Sequence, residues 1–261
     1  MLIAILGDTH FGVRNDSVIF RENFSKFYSD VFFPILKERG VTQVIQTGDF
    51  FDKRKHINFT TLKFVKEEFI EPAKKAGIHI VELLGNHDLY FKNTVKVNSP
   101  EQLANHYDHF DVIMEPTTLD YDGLAIDIVP WICEENQDAI NDYLSVSDSP
   151  VVIGHFEFNG FDMYRGIPCK RGETTGMFNK FEKVISGHFH TRSSRGNIDY
   201  VGTPYEMNWS DCNDKKGFHL FNTETLELEF IENPYTLHHK ILYDDTLTNY
   251  DDYPLNAMHG G

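Results

Sequence analysis

Cysteine is scarce in this chain: three residues, Cys133, Cys169 and Cys212, lie far apart and outside any C-x-x-C pair. That excludes a disulfide framework and a thiolate zinc cluster, and fits reduced thiols. Long apolar runs are missing too; none approaches the ~18 residues that span a bilayer, so no membrane partner is expected. The opening MLIAILGDTHFG has no basic leader and reaches Asp8 too early for a signal peptide, which predicts a cytoplasmic protein. Positive charge is in deficit, with a formal net charge of -16 that argues against generic polyanion binding. The deficit is uneven. ILYDDTLTNYDDYPLNAMHGG at the C-terminus holds four Asp and no Lys or Arg and reads as a solvated tail, whereas DKRKH at 52–56 is a compact basic cluster. Internal repeats, low-complexity linkers and clear domain boundaries are also absent.

What is present is a packed core: 41% hydrophobic and 14% aromatic residues in 261 positions can bury a large interior. LIAIL (2–6) reads as a buried strand. The stretch 17–40 reads as helix, with Ser17 as a cap and Gly40 as a stop. VTQVIQT is the next strand, 58–77 a second helix with apolar residues at helical spacing, and IHIVELL a third strand. This β-α-β-α-β order predicts a mainly parallel sheet with crossover helices. PVVIGHFEF and FEKVISGHFH follow. After residue 197, IDYVGTP, GFHLF and LELEFI predict antiparallel strands completing a second sheet. One α/β domain over 1–240, followed by an acidic extension over 241–261, is the expected organisation.

Five strand candidates end alike: Gly7-Asp8-Thr9-His10, Gly48-Asp49, Gly85-Asn86-His87-Asp88, Gly154-His155 and Gly187-His188-Phe189-His190. Glycine permits a tight turn, and a residue able to bind metal follows it each time. Strands of an open α/β sheet present ligands at their carboxyl ends. One cleft would thus receive Asp8, His10, Asp49, Asn86, His155, His188 and His190. Seven oxygen and nitrogen donors are too many for one tetrahedral ion but suit two ions sharing a carboxylate. The mixed set favours Mn²⁺, Fe or Zn²⁺ over the all-oxygen shells of Mg²⁺. Two ions roughly 3.5–4 Å apart suit in-line displacement at phosphorus, so phosphate-ester hydrolysis is the expected chemistry. His79, His106, His109, His219, His238 and His239 sit in no such turn and are read as surface or core residues.

The ordered series GDTH, GDFFD, GNHD, GH and GHFH resembles the calcineurin-like metallophosphoesterase superfamily over about residues 1–222. Within it, DTHFG, GHFH and VGTPYEMNWSDCNDKKGFHLF are similar to SbcD-type nuclease subunits of DNA repair and recombination, and to their phage branch in particular. The resemblance implies a two-sheet β-sandwich flanked by helices, a four-layer αββα fold with a binuclear centre. It implies that Asp8, His10 and His190 hold one ion, Asn86, His155 and His188 the other, and that Asp49 bridges them. His87 would be the acid facing the reacting phosphate. Asp52 would orient the His87 imidazole with its carboxylate, while Asp88 satisfies backbone N–H groups of its own turn. The implied activity is a Mn²⁺-dependent double-strand exonuclease and single-strand endonuclease, with Mg²⁺ as another option for the ions. The implied partners are duplex ends and single strands of DNA, an SMC-like ABC ATPase and a second copy in a homodimer, in a bacterial or phage-infected cytosol. No G-x-x-x-x-G-K-[ST] occurs, so the ATPase is expected to be a separate chain.

Two departures bear on this. Eukaryotic and archaeal relatives usually carry His where Asp52 stands, and the family's DNA-capping domain is expected to be absent or reduced after the acidic tail. Lys53, Arg54, Lys55, Arg192 and Arg195 are candidates for phosphate contacts. Phe59, Leu62, Phe64 and Phe69 are candidates for a dimer surface, with core as the other option. A phosphatase or small-molecule phosphodiesterase is the alternative activity, since GDFFDKR is compatible with it.

Overall fold

Alternation of apolar side chains on both faces of the strands sets the layers. In β1 (Leu2–Leu6), Ile3 and Ile5 point one way and Ala4 and Leu6 the other, all of them buried. The pattern recurs in β2 (Gln43–Gln46), β3 (His79–Leu83) and β4 (Phe110–Ile113), which follow β1 as parallel neighbours. Strands apolar on both faces must be covered on both. Ile3, Ile5, Ile45, Val81 and Leu83 meet a second sheet, while Ala4, Leu6, Val44 and Ile80 meet helices. The second sheet comprises β5 (Thr117–Tyr121), β6 (Leu124–Val129), β7 (Val151–Gly154), β10 (Lys183–Ser186), β11 (Ser193–Arg195) and β12 (Ile198–Tyr200). Its Ile126, Ile128, Val151, Ile153 and Ile185 face the first sheet, and Val129, Val152 and Val184 face outward under their own cover. The result is the expected four-layer αββα sandwich, in a computed structural model that describes residues 1–104, 106–164, 166–240 and 246. The short ribbon β8 (Asp162–Tyr164) and β9 (Ile167–Pro168) stands apart.

Here the structure corrects one expectation. The late strands β13 (Gly217–Asn222) and β14 (Leu228–Glu232) do not complete the second sheet; β13 pairs antiparallel with β1. Each sheet has six strands, ordered β14-β13-β1-β2-β3-β4 and β11-β12-β10-β7-β6-β5. The parallel run β1-β2-β3 leaves one edge of β1 unpaired, and β13 satisfies those backbone groups. β12 pairs parallel with β10. The hairpin β5–β6 turns at Asp122-Gly123, both at positive φ, the signature of a two-residue turn that the Asp-Gly pair announces.

Val18–Lys26, Phe27–Phe32 and Phe33–Glu38 run on with a π-helical middle, as do Phe59–Val65, Lys66–Ile70 and Glu71–Lys75. Ser17 stands at the first N-cap without a capping bond, while Asn58 caps the second by accepting from Thr60 N–H. Both pack an aromatic cluster against the first sheet. Phe69 is fully buried amid Tyr28, Phe32 and Phe50, which settles it as core, whereas Phe59 is 87% exposed. All three cysteines are free thiols. Among the described residues no helix is long and apolar enough to cross a membrane. The last described stretch is tied down by Glu206, whose carboxylate accepts from the N–H groups of Leu237 and His238. The acidic extension, apart from Thr246, lies outside the described residues.

Two stability predictions follow from burial. Phe69→Ala leaves a cavity expected to cost about 3–5 kcal/mol, read as a lower urea midpoint with an unchanged slope. His219, on β13, is buried with Nδ1 unpartnered, and burial, with Arg192 nearby, lowers its pKa from 6.5 to about 3. Folding therefore favours the neutral ring: its contribution is complete above pH 6.5 and declines as pH falls toward about 3. Unfolding midpoints measured from pH 7 to pH 4 should fall less steeply in His219→Phe than in the parent.

Candidate metal centre

The site lies where β1, β2, β3, β7 and β10 end, and close approach explains its glycines better than turning does. Of Gly7, Gly48, Gly85, Gly154 and Gly187, only Gly48 has positive φ, at 92°. A Cβ on Gly85 would stand 2.2 Å from the Asp49 nitrogen, and one on Gly187 2.5 Å from the Thr47 carbonyl oxygen. Any side chain there would push the loops apart. Strain sits instead on residues that carry chemistry. His10, Asp49 and His188 have φ of 40°, 54° and 85°, a left-handed conformation that non-glycine residues keep only where the surroundings enforce it.

All seven predicted donors converge. Asp8, His10 and His190 form one group and Asp49, His155 and His188 another, each with ligand atoms within 4.8 Å of one another. His10 Nε2 lies 3.1 Å from His190 Nε2. Asn86 Oδ1 lies 3.2 Å from His155 Nε2 and 3.0 Å from His188 Nδ1. Between the groups stands Asp49. Its Oδ2 is 3.6 Å from His10 Nε2 and 3.5 Å from His155 Nε2, while Oδ1 accepts the His87 main-chain N–H at 2.6 Å.

Proton placement suits cation binding. His155 Nδ1–H donates to the Thr47 carbonyl at 2.7 Å, so Nε2 is the nitrogen that faces the other donors. Burial lowers His188 to about 3 and His190 to about 4, and pulls His10 well below its ordinary range, so these rings are neutral donors. Burial also pulls His155 down, but the carboxylates of Asp49 and Asp8 outweigh it and raise the ring to about 9. Burial pushes Asp8 up to about 7. For Asp49, burial pushes upward too, yet His155, His10 and His87 hold it well below the carboxylate range. The centre therefore draws positive charge to the point between its two donor groups, and the mixed, thiolate-free donors fit divalent transition ions.

The non-ligand candidates need one correction. His87 Nδ1–H donates at 2.8 Å to the main-chain carbonyl of Asp52, and it is not the Asp52 carboxylate that holds the imidazole. That carboxylate lies 3.9 Å from His10 Nδ1 instead. The turn after Asp49 carries the chain past His87 backbone-first. Asp88 satisfies its own turn through Gly85 N–H at 2.8 Å, as expected, but also accepts from Asp49 N–H at 2.8 Å and Phe50 N–H at 3.0 Å on the neighbouring loop.

His10, Asp49, Asn86, His188 and His190 border an open cavity of about 540 Å³ lined also by Arg14, Asn15, Met163, Met207 and Asn208. None of Lys53, Arg54, Lys55, Arg192 or Arg195 lines it. Lys53 lies 3.6 Å from Asp16, Arg192 stacks on Phe230, and Arg195 donates to the Gly160 carbonyl. Arg14 is the cation at the cleft, its Nε–H bonded to the Met207 carbonyl at 2.9 Å. It lies in a turn where Arg14, Asn15 and Asp16 all have positive φ, a feature without a sequence signal. Two further residues escaped sequence reasoning. Trp131 packs on His155 and His188 with ring centroids at 5.8 and 5.1 Å, and buried Lys216 donates to the His190 carbonyl at 2.7 Å. The latter sits in the late DKKGF run.

The chain belongs to the calcineurin-like phosphoesterase family, whose model matches residues 1–192, and it is a phosphoesterase by fold and site. Two characterised relatives narrow the likeness. The chain is 39% identical over 243 residues to exonuclease subunit 1 of Enterobacteria phage T4, covering 93% of this chain and 71% of that one. It is 25% identical over 196 residues to the DNA double-strand break repair protein Mre11 of Sulfurisphaera tokodaii, covering 73% of this chain and 49% of that one. Among solved structures, an archaeal phosphodiesterase (14% identity, TM-score 0.44) covers 89% of this chain, and a Thermus thermophilus protein described as hypothetical (13%, 0.46) covers 90%; each is itself covered in full.

Asp88→Asn removes one acceptor oxygen and turns an amide N–H toward backbone N–H groups. It is expected to cost about 1–3 kcal/mol of stability in urea unfolding with chelator present. A loss near zero would contradict the role of Asp88 as a brace between the two loops.

Proposed function

We propose that this protein is a DNA nuclease of the two-metal type, Mn²⁺-dependent, cutting duplex ends as an exonuclease and single strands as an endonuclease. The observation that carries the reading is Asp49 Oδ2 midway between two donor groups. On this reading Asp8, His10 and His190 hold one ion, Asn86, His155 and His188 the other, and Asp49 belongs to both. Ions bound there supply Lewis acidity and neutralise charge at phosphorus. The names of the phage and archaeal relatives support DNA as the substrate.

His87 does the proton work on this reading. With Nδ1–H held by the Asp52 carbonyl, Nε2 is the atom left to donate toward the leaving oxygen. Asp52 tunes the site electrostatically through His10. Arg14, at the cleft wall, orients a backbone phosphate. Trp131 keeps water from the rings of His155 and His188. A separate SMC-like ABC ATPase subunit and a second copy of this chain complete the assembly, with exposed Phe59 available to the dimer surface. On this reading residues 1–240 form the nuclease domain and 241–261 an acidic extension.

Linear duplex DNA incubated with the protein and Mn²⁺ should release nucleotides, and a chelator should stop release. His87→Ala should lower kcat about 10²–10⁴-fold with metal binding retained. No release, with or without the cognate ATPase, would refute the nuclease. Fast phosphomonoester turnover with DNA left intact would instead favour the phosphatase alternative. Asp52→Asn keeps the main-chain carbonyl, so its kcat should fall less than that of His87→Ala; an equal or larger loss would show that the carboxylate carries the role.

A further inference from the structure

Behind the metal loops lies a second cavity that shares no lining residue with the cleft. Its volume is about 240 Å³, and its walls are Phe50, Phe51, Tyr107 and Phe110, with Leu62 toward the helical side. Lys66, Gln102 and His106 stand exposed at its rim, and one fully buried polar side chain breaks the lining from within. Glu82, on β3, is 0% exposed, and neither of its carboxylate oxygens has a hydrogen-bond partner. β3 alternation explains the placement: Val81 and Leu83 face the inter-sheet core, so Glu82 must face the helices.

A buried carboxyl with no donor is costly, and folded proteins rarely retain one without a reason. No cation among the described residues relieves it. Lys66 and His106 at the cavity wall are exposed, and neither pairs with Glu82. Two adjacent acceptor oxygens match two parallel N–H donors, the geometry of an amidinium or guanidinium head, and positive charge favours the ionised carboxylate. The aromatic walls suit a flat apolar body.

We propose that this cavity is a ligand site for a small planar aromatic molecule bearing an amidinium or guanidinium head, with Glu82 as its anchor. The site is independent of the nuclease reading. Phe50 and Phe51 directly follow Asp49, so an occupant would sit against the back of that loop without entering the cleft.

Benzamidine is the probe. Added to the full chain with chelator present, it should raise Tm and bind saturably in calorimetry. Glu82→Gln, an isostere whose amide N–H would face the amidinium, should weaken binding at least tenfold. Leu62→Trp narrows the cavity with the carboxyl intact; unchanged circular dichroism with lost binding would place the probe there even if Glu82→Gln folds poorly. Benzamide tests the charge requirement and should bind more weakly than benzamidine. The proposal fails if benzamidine does not bind the parent, if both variants bind it like the parent, or if benzamide binds more tightly, since that outcome would mean an acid that keeps its proton.

Discussion

The carboxylate of Asp88 is the contact on which the centre depends. It takes main-chain N–H groups from Gly85, Asp49 and Phe50, and so clamps the loop after β2 to the loop after β3. The absence of a Cβ at Gly85 allows those backbones to come within bonding reach. With the loops clamped, Asp49 is held in a left-handed conformation it would not keep alone, and the His87 N–H closes on its Oδ1. Three groups on two loops are then placed by a single buried carboxyl group: the carboxylate of Asp49, the amide of Asn86 and the imidazole of His87.

A second pair of contacts does the same for the other half. The Asp8 carboxylate receives the His188 N–H at 3.1 Å, and the Thr47 carbonyl orients the ring of His155. Both reach across from the first sheet to the second, so the centre is where the two sheets are stitched together. Lys216 adds a third tie by holding the His190 carbonyl while pairing with Asp211 and Asp214. Burial keeps three imidazoles neutral, and the carboxylates of Asp49 and Asp8 that raise His155 are the negative charge a bound cation would neutralise in place of that proton.

Much of this is legible in the chain. Strand, glycine and donor recur in order, and the parallel first sheet with its crossover helices follows from the helical and strand periods, while the αββα layering is implied by the family resemblance. The late strands fall in the other sheet because GFHLF and LELEFI carry no information about which sheet edge is open; the unpaired edge of β1 decides that. Arg14 is hidden behind the DKRKH cluster because charge density is visible in sequence while a left-handed turn at ordinary residues is not. The glycines read as turn residues, yet a Cβ at Gly7, Gly48, Gly85 or Gly187 would strike a loop far along the chain, and only Gly48 combines this with a positive φ.

The sequence by itself determined the inventory: which side chains end each strand, that they are oxygen and nitrogen donors, and that the strands are apolar on both faces. These are local properties, set by period and residue type. Tertiary structure decided which atom of each residue acts. Asp52 meets His87 through its carbonyl 35 positions away, and Asp88 braces Asp49 across 39. It also left Glu82 facing an apolar cavity, because β3 alternation under a helical layer gave that side chain no other direction. Such choices depend on how distant backbones approach one another, and nothing within a few residues of either partner encodes that distance.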